Sequence, residues 1–153
     1  MYFGIISTGM GKVGLQYASN RVNIESAVRI GTCGYYLDEY EMKFVNVQTA
    51  IDDFENTLLT SLVSTKYPNV ICHTTDYLHL SSNIIADVSD METYYIFKNI
   101  KYSASILLAV NKVGFSSSNN YSNEIFFEVA NEAVNILKVH KEIINANDRL
   151  RPN

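Results

Sequence analysis

The stretch Arg29-Ile30-Gly31-Thr32-Cys33-Gly34 decides how the chain is read. It continues an apolar run, Ala27-Val28, and carries two glycines three residues apart. A buried strand ending in a tight turn fits this pattern, because glycine accepts turn geometries that other residues avoid and leaves backbone N–H groups open. Such an end presents amides, the Thr32 hydroxyl and the Arg29 guanidinium, a set suited to an anion or a sugar. Gly-x-x-Gly at a strand end is also an ordinary backbone device, and Arg29 fits equally well as a surface arginine.

Upstream, residues 2–6 read as a short strand, and Ser7-Thr8-Gly9-Met10-Gly11-Lys12 as a glycine-rich turn leading into a helix over 12–22. With the strand at 27–31 this makes a βαβ rhythm, which favours parallel strands and a site at their carboxyl ends. Downstream, Met42 to Val47 alternates apolar and polar residues as a half-exposed strand does. A helix is expected next, opened by Asp52-Asp53, apolar on Ile51, Phe54, Leu58, Leu59 and Leu62, and ended by Pro68-Asn69. Val70 to Thr75 reads as a strand. Residues 87–99 read as a helix capped by Asp87 or Ser89, with Met91, Tyr94, Tyr95 and Phe97 turned inward or into a site. Ser103 to Val110 is the most apolar strand and is placed centrally. A last amphipathic helix carries Phe126, Val129, Ala130, Ala133 and Leu137 at helical spacing. The expectation is one α/β domain over residues 1–147, a mixed central sheet flanked by helices, followed by a polar tail at 148–153.

Composition narrows the function classes. A chain of 153 residues with 47% hydrophobic and 18% charged residues is long enough for one sizeable core. A net charge of −4 argues against nucleic acid as a partner, since counterion release needs a basic surface. Two cysteines, Cys33 and Cys72, are too few for a disulfide scaffold and sit in apolar segments. No signal peptide is evident, and no apolar run approaches the ~20 residues of a membrane span. A soluble, cytoplasmic protein without membrane contact is expected.

Taken in order, the motifs resemble those of the nucleoside phosphorylase and nucleosidase superfamily, particularly its hexameric purine nucleoside and uridine phosphorylase branch. Ser7-Thr8-Gly9-Met10-Gly11 is similar to the family's glycine turn, and Arg29 to Gly34 to its Arg-(Ile/Val)-Gly-(Ser/Thr)-x-Gly signature. Ala50-Ile51-Asp52-Asp53-Phe54 resembles the Ala-x-Ala-Asp-Phe that opens a family helix. Thr74-Thr75-Asp76 stands where the family has Ser-Ser-Asp, Asp90-Met91-Glu92 where it has Glu-Met-Glu, and Val110-Asn111-Lys112 where the uridine branch has Val-Asn-Arg.

The resemblance implies roles tied to cleavage of an N-glycosidic bond, which builds positive charge on the sugar and negative charge on the departing base. Gly9, Arg29 and Thr32 would bind phosphate or another anion. Met91 would pack on the ribose, and Glu92 would accept hydrogen bonds from its hydroxyls, as a carboxylate suits a diol. Cys33, Gly34 and Asn111 would meet the base, with Asn111 and Lys112 as candidate catalytic groups. Glu92 equally fits a solvated helix position, and Asn111 and Lys112 ordinary strand-end polar residues. Phosphate would be a co-substrate of an active enzyme; no other cofactor and no metal is expected. The partner would be a nucleoside or nucleotide, and the family's shared sites imply a homo-oligomer.

Departures from the pattern weigh on activity. The aspartate that acts toward the base in the purine enzymes is replaced by Lys112, and the uracil-reading Gln-x-Arg pair by Ser82 and Ile84. Family strands ahead of the first glycine turn, which complete the phosphate site, have no counterpart here. The expectation is therefore a truncated relative that binds a nucleoside or nucleotide with reduced or lost turnover. An active phosphorylase or nucleosidase is the alternative, and a structural oligomer without a ligand is the third reading.

Overall fold

A computed structural model describes residues 11–19, 24–64, 66–76, 83–114, 122–138 and 143–145. The expected strand at 2–6, the turn residue Gly9, Ser82 and the polar tail lie outside these. Along the chain run α1 (Gly11–Ser19), β1 (Ser26–Tyr35), β2 (Phe44–Ile51), β3 (Thr57–Leu59), β4 (Leu62–Ser64), β5 (Asn69–Thr74), β6 (Val88–Asp90), α2 (Thr93–Asn99), β7 (Tyr102–Lys112), α3 (Asn123–Lys138) and β8 (Ile143–Asn145).

These elements make a single α/β domain whose mixed sheet runs β3-β2-β5-β6-β1-β7. β1 lies parallel to β7 along its whole length and antiparallel to β6, while β5 is parallel to both β2 and β6. The sheet also closes on itself. Residues 44–46 of β2 pair antiparallel with residues 106–108 of β7, and residues 49–51 of the same strand pair with β3. β2, β5, β6, β1 and β7 thus form a closed ring, which removes the exposed edges of an open sheet. β4 and β8 form a separate antiparallel pair.

The ring is filled by Cys33, Tyr35, Val45, Val47, Ala50, Val70, Cys72, Val88, Leu107 and Ala109, closed at one side by Tyr94 of α2. β7, expected as the central strand, instead closes the ring between β1 and β2, but its expected burial holds: residues 103–110 are all buried, so both faces are covered and its sequence is a continuous apolar run rather than an alternation. Against its other side, Leu108 and Val110 pack with Ile125 and Val129 of α3.

Four expectations are corrected. The strand at Arg29–Gly34 does not end in a turn: β1 runs through both glycines to Tyr35, with a register shift between Cys33 and Gly34. No helix follows Asp52. Its carboxylate accepts hydrogen bonds from the Phe54 and Asn56 N–H groups and from the Asn56 amide, closing a loop in which Glu55 takes a left-handed φ of 65°, and the chain turns back as β3. The same short acidic side chain that suits a helix cap also nucleates such turns, and here the turn wins. The helix expected over 87–99 is strand β6 and then α2. Asp87 accepts from the Ile71 N–H, Ser89 donates to the His73 carbonyl, and Asp90 receives the Thr93 N–H at the start of the helix. In α3 the buried positions are Ile125 and Ile136, whereas Phe126, Ala130 and Leu137 face solvent.

Candidate functional site

Arg29 is the origin of the site. Side chains alternate along a strand, so Arg29, Gly31 and Cys33 share the inner face of β1 while Thr32 points to the outer one. The guanidinium folds back along the strand over Gly31: a Cβ built there would lie 3.0 Å from Arg29 Nη2 and 3.1 Å from Cζ. Gly31 is required for this approach rather than for a turn. The guanidinium reaches two carboxylates at the end of the neighbouring strand β6 and just beyond it, Glu92 Oε2 at 2.6 Å and Asp90 Oδ2 at 3.3 Å.

Asp90 sits at the carboxyl end of β6 with a fully buried side chain. Its Oδ1 accepts the Thr74 hydroxyl at 2.7 Å and faces Cys72 Sγ at 3.3 Å, and its Oδ2 accepts the Thr93 N–H at 2.9 Å together with the Thr93 hydroxyl. Thr93 Oγ1 lies 2.8 Å from Ser105 Oγ, and Thr74 Oγ1 accepts the Tyr94 N–H at 3.0 Å. A buried carboxylate is costly unless paired and hydrogen-bonded, and Asp90 is both. It ties β5, β6, α2 and β7 together and holds Arg29 in place.

Glu92 takes the other half of the guanidinium. Its Oε1 accepts the backbone N–H of Gly11 at 2.7 Å, so one carboxylate bridges the first residue of α1 and the arginine of β1. This is the geometry an external anion would seek at a helix start beside an arginine. Around the same point, a Cβ on Gly11 would lie 3.6 Å from Asp76 Oδ1 and 3.7 Å from Met91 Cε, and Gly11 has a φ of 70°. Gly11, Asp76, Met91, Glu92 and Arg29 therefore converge on one spot.

The remaining sequence candidates are distributed differently. Cys33 is buried inside the ring, and burial, reinforced by the Asp90 charge, pushes its thiol well above the ordinary range; Cys72 shifts the same way for the same reason. The Cys33 side chain thus packs in the core rather than meeting a base. Thr32, on the outer face of β1, is not brought to the guanidinium. Gly34 pairs with Asn111 at the register shift, and a Cβ there would approach Val113 Cγ2 to 2.9 Å. Asn111 is half-buried at the carboxyl end of β7, and Lys112 beside it forms an ion pair with Asp38 at 2.8 Å in an exposed position. The structure therefore gathers Arg29, Met91 and Glu92 and leaves Gly34 and Asn111 about three strand residues, roughly 10 Å, from the level of Gly31.

Asp90, Gly31, Thr74, Thr93 and Ser105 were not singled out as site residues from sequence. The Asp-x-x-Thr spacing of Asp90 and Thr93 carries a signal, since a carboxylate three residues before a helical N–H is a capping pattern. A second pair outside this cluster joins His73 Nε2 to Asp53 Oδ1 at 2.8 Å, tying the β2–β3 loop to β5. Among the described residues, no group of three or more His, Cys, Asp or Glu side chains is placed to hold a metal ion.

No protein-family model matches the sequence, and no curated protein matches it. Solved structures do match. One is the MTAN protein CT263 of Chlamydia trachomatis, at 11% identity and a TM-score of 0.67, covering 85% of this chain and 73% of that one. Another is a variant of the same protein bound to MTA, at 12% identity and a TM-score of 0.70, covering 85% and 74%. At this identity the likeness establishes a common fold, that of the nucleoside phosphorylase and nucleosidase type.

Proposed function

We propose that the chain binds a nucleoside at the point where Gly11, Met91, Glu92 and Arg29 meet, and that it does so without phosphate. The observation that carries this reading is the Glu92 carboxylate, held at 2.7 Å by the Gly11 N–H and at 2.6 Å by Arg29. The Gly11 N–H and the Arg29 Nη2, two donors that could grip a phosphate, are already taken by the chain's own carboxylate. Arg29 is further neutralised by Asp90, so the cluster of Arg29, Asp90 and Glu92 carries a net negative charge that opposes an incoming dianion. A held carboxylate retains lone pairs for a sugar diol, and Met91 beside it offers an apolar contact for a ribose face.

Hydrolytic cleavage of the glycosidic bond is the second reading. It is favoured by the structural neighbour bound to MTA, and water as nucleophile needs no anion site. The side chains that would assist a departing base are Asn111 and Lys112, at the carboxyl end of β7. The fold alone does not decide between holding a nucleoside and cutting it.

A thermal-shift panel of inosine, adenosine, uridine and MTA, each with and without inorganic phosphate, tests the proposal, with chromatography for released base on the same samples. Stabilisation of about 2.7 kcal/mol is expected at a hundredfold excess of nucleoside over its dissociation constant, equal with and without phosphate, and absent in Glu92→Ala. No shift with any nucleoside, or a shift only when phosphate is present, overturns it. Release of free base without phosphate selects the hydrolytic reading.

A further inference from the structure

Glu92 is the residue on which nucleoside binding turns, yet only 8% of it is open to solvent. A sugar diol needs an oxygen it can reach, and both oxygens face the protein: Oε1 accepts the Gly11 N–H and Oε2 the Arg29 guanidinium. Met91 is covered from the same side. A Cβ on Gly11 would lie 3.7 Å from Met91 Cε and 3.6 Å from Asp76 Oδ1, ordinary contact distance, so no sugar ring fits between the start of α1 and the residues proposed to hold it. One of the donors on Glu92 has to leave before a ribose arrives.

The two donors are not held alike. Arg29 is fixed from its far side by Asp90, whose side chain is fully buried, and withdrawing the guanidinium would strand that carboxylate. Gly11 is the first residue of a nine-residue helix. Isolated helices below ~12–15 residues are marginal in water, so α1 depends on what it rests against. Of residues 11–16, Gly11 and Leu15 alone are buried, while Lys12, Val13 and Gln16 are exposed. Leu15 packs with Ile96 of α2 and Ile100 just beyond it, and the Lys12 ammonium lies over the Tyr95 ring at 5.3 Å.

We infer, resting on the nucleoside reading proposed above, that α1 is a strap closing this site, and that binding lifts its amino end off Glu92 while the Arg29 pairings stay intact. Oε1, vacated by the Gly11 N–H, receives the ribose hydroxyls; Oε2 stays on Arg29, which keeps the carboxylate oriented. The exchange is close to even in hydrogen bonds, since the Gly11 N–H passes to water as the diol donates to Oε1. The closed strap weakens binding through the fraction of molecules that are open, because the observed dissociation constant is the intrinsic one divided by that fraction. Loosening α1 therefore tightens binding, the reverse of the effect expected if α1 were a wall of the site.

Equilibrium dialysis of MTA and adenosine against the wild-type chain, Lys12→Ala and Leu15→Ala tests this, with circular dichroism and urea unfolding to show that each variant keeps the fold. Lys12→Ala removes an exposed cation–π contact and should tighten binding roughly two- to fivefold. Leu15→Ala removes the buried anchor and should tighten it about tenfold or more. If Leu15→Ala unfolds, Lys12→Ala decides alone. Amide hydrogen exchange gives a second readout: saturating MTA should speed exchange at residues 11–16. Equal or weaker binding in either folded variant, or α1 amides that exchange more slowly with MTA bound, overturns the strap and leaves the nucleoside reading standing. No binding to any of the three proteins overturns the nucleoside reading and the strap with it.

Discussion

Replacing Gly31 with alanine should destabilise the protein solely through Arg29. Gly31 sits within β1 and shows none of the left-handed backbone that would itself forbid a side chain, so alanine is allowed by the main chain. The new Cβ would lie 3.0 Å from Nη2, 3.1 Å from Cζ and 3.4 Å from Nη1 of Arg29, where ordinary contact begins at 3.4 Å or more. The guanidinium must lift by about 0.5 Å, and it is anchored at 2.6 Å to Glu92. Overpacking of this kind costs roughly 1–3 kcal/mol, and the reduced entropy of the unfolded chain returns roughly 0.4–1 kcal/mol, leaving a net loss of about 1–2 kcal/mol. In an Arg29→Ala background the obstruction is gone, and the same substitution should stabilise by about 0.4–1 kcal/mol. Arg29→Ala itself strands two buried carboxylates at a cost of roughly 3–5 kcal/mol, so urea unfolding is best measured near 10–20 °C, about where stability peaks. The coupling, about 1.5–3 kcal/mol with a change of sign, is read from midpoints at constant m-value. Equal cost in both backgrounds would refute the role assigned to Gly31.

Three further outcomes are expected. Burial pushes the Asp52 carboxyl up, but hydrogen bonds from Asn56 and the Phe54 N–H outweigh it and hold the group below its ordinary value. A depressed folded value means that the stabilisation is present above the ordinary carboxylate range and is lost as pH falls through the folded one, so Asp52→Ala should cost about 1 kcal/mol at neutral pH and progressively less in acid, by urea titration at several pH values. Cys33 and Cys72 are buried with thiols pushed well up, so neither should react with a thiol-exchange reagent in the native state, and both should label at the rate of global opening. Leu107 is fully buried inside the ring, and Leu107→Ala should cost roughly 2–5 kcal/mol by the same unfolding measurement.

The α/β class and the strands at 27–31, 42–47, 70–75 and 103–110 were legible because periodicity and apolar runs are local properties of the sequence. Closure of the sheet was not, since the pairing of Phe44 to Asn46 with Ile106 to Leu108 joins segments about sixty residues apart and leaves no local mark. The misreading at Asp52 has a specific cause. Asp-Asp before apolar residues satisfies a helix start and a turn equally, and the hydrogen bonds from Asn56 decide for the turn. At the site, Arg29, Met91 and Glu92 were legible through the family-like motifs. Their mutual arrangement was not, because an arginine flagged as an anion ligand carries no sign in sequence that a carboxylate sixty-three positions away will occupy it.

That occupation also explains why the hub lies at Asp90 rather than at Arg29. A lone buried arginine facing Glu92 would be free to swing toward any stronger anion, and a phosphate dianion would compete with a single carboxylate. Asp90 prevents this. Its Oδ2 accepts the Thr93 N–H and hydroxyl at the start of α2 while facing Arg29 Nη1, so drawing the guanidinium away would leave a fully buried carboxylate without its counter-ion. The cost falls on the junction of β5, β6, α2 and β7, which is the centre of the fold. Holding Glu92 in place and holding the ring together are in this protein one interaction, and a ligand that leaves the Arg29 pairings intact has the advantage over one that must break them.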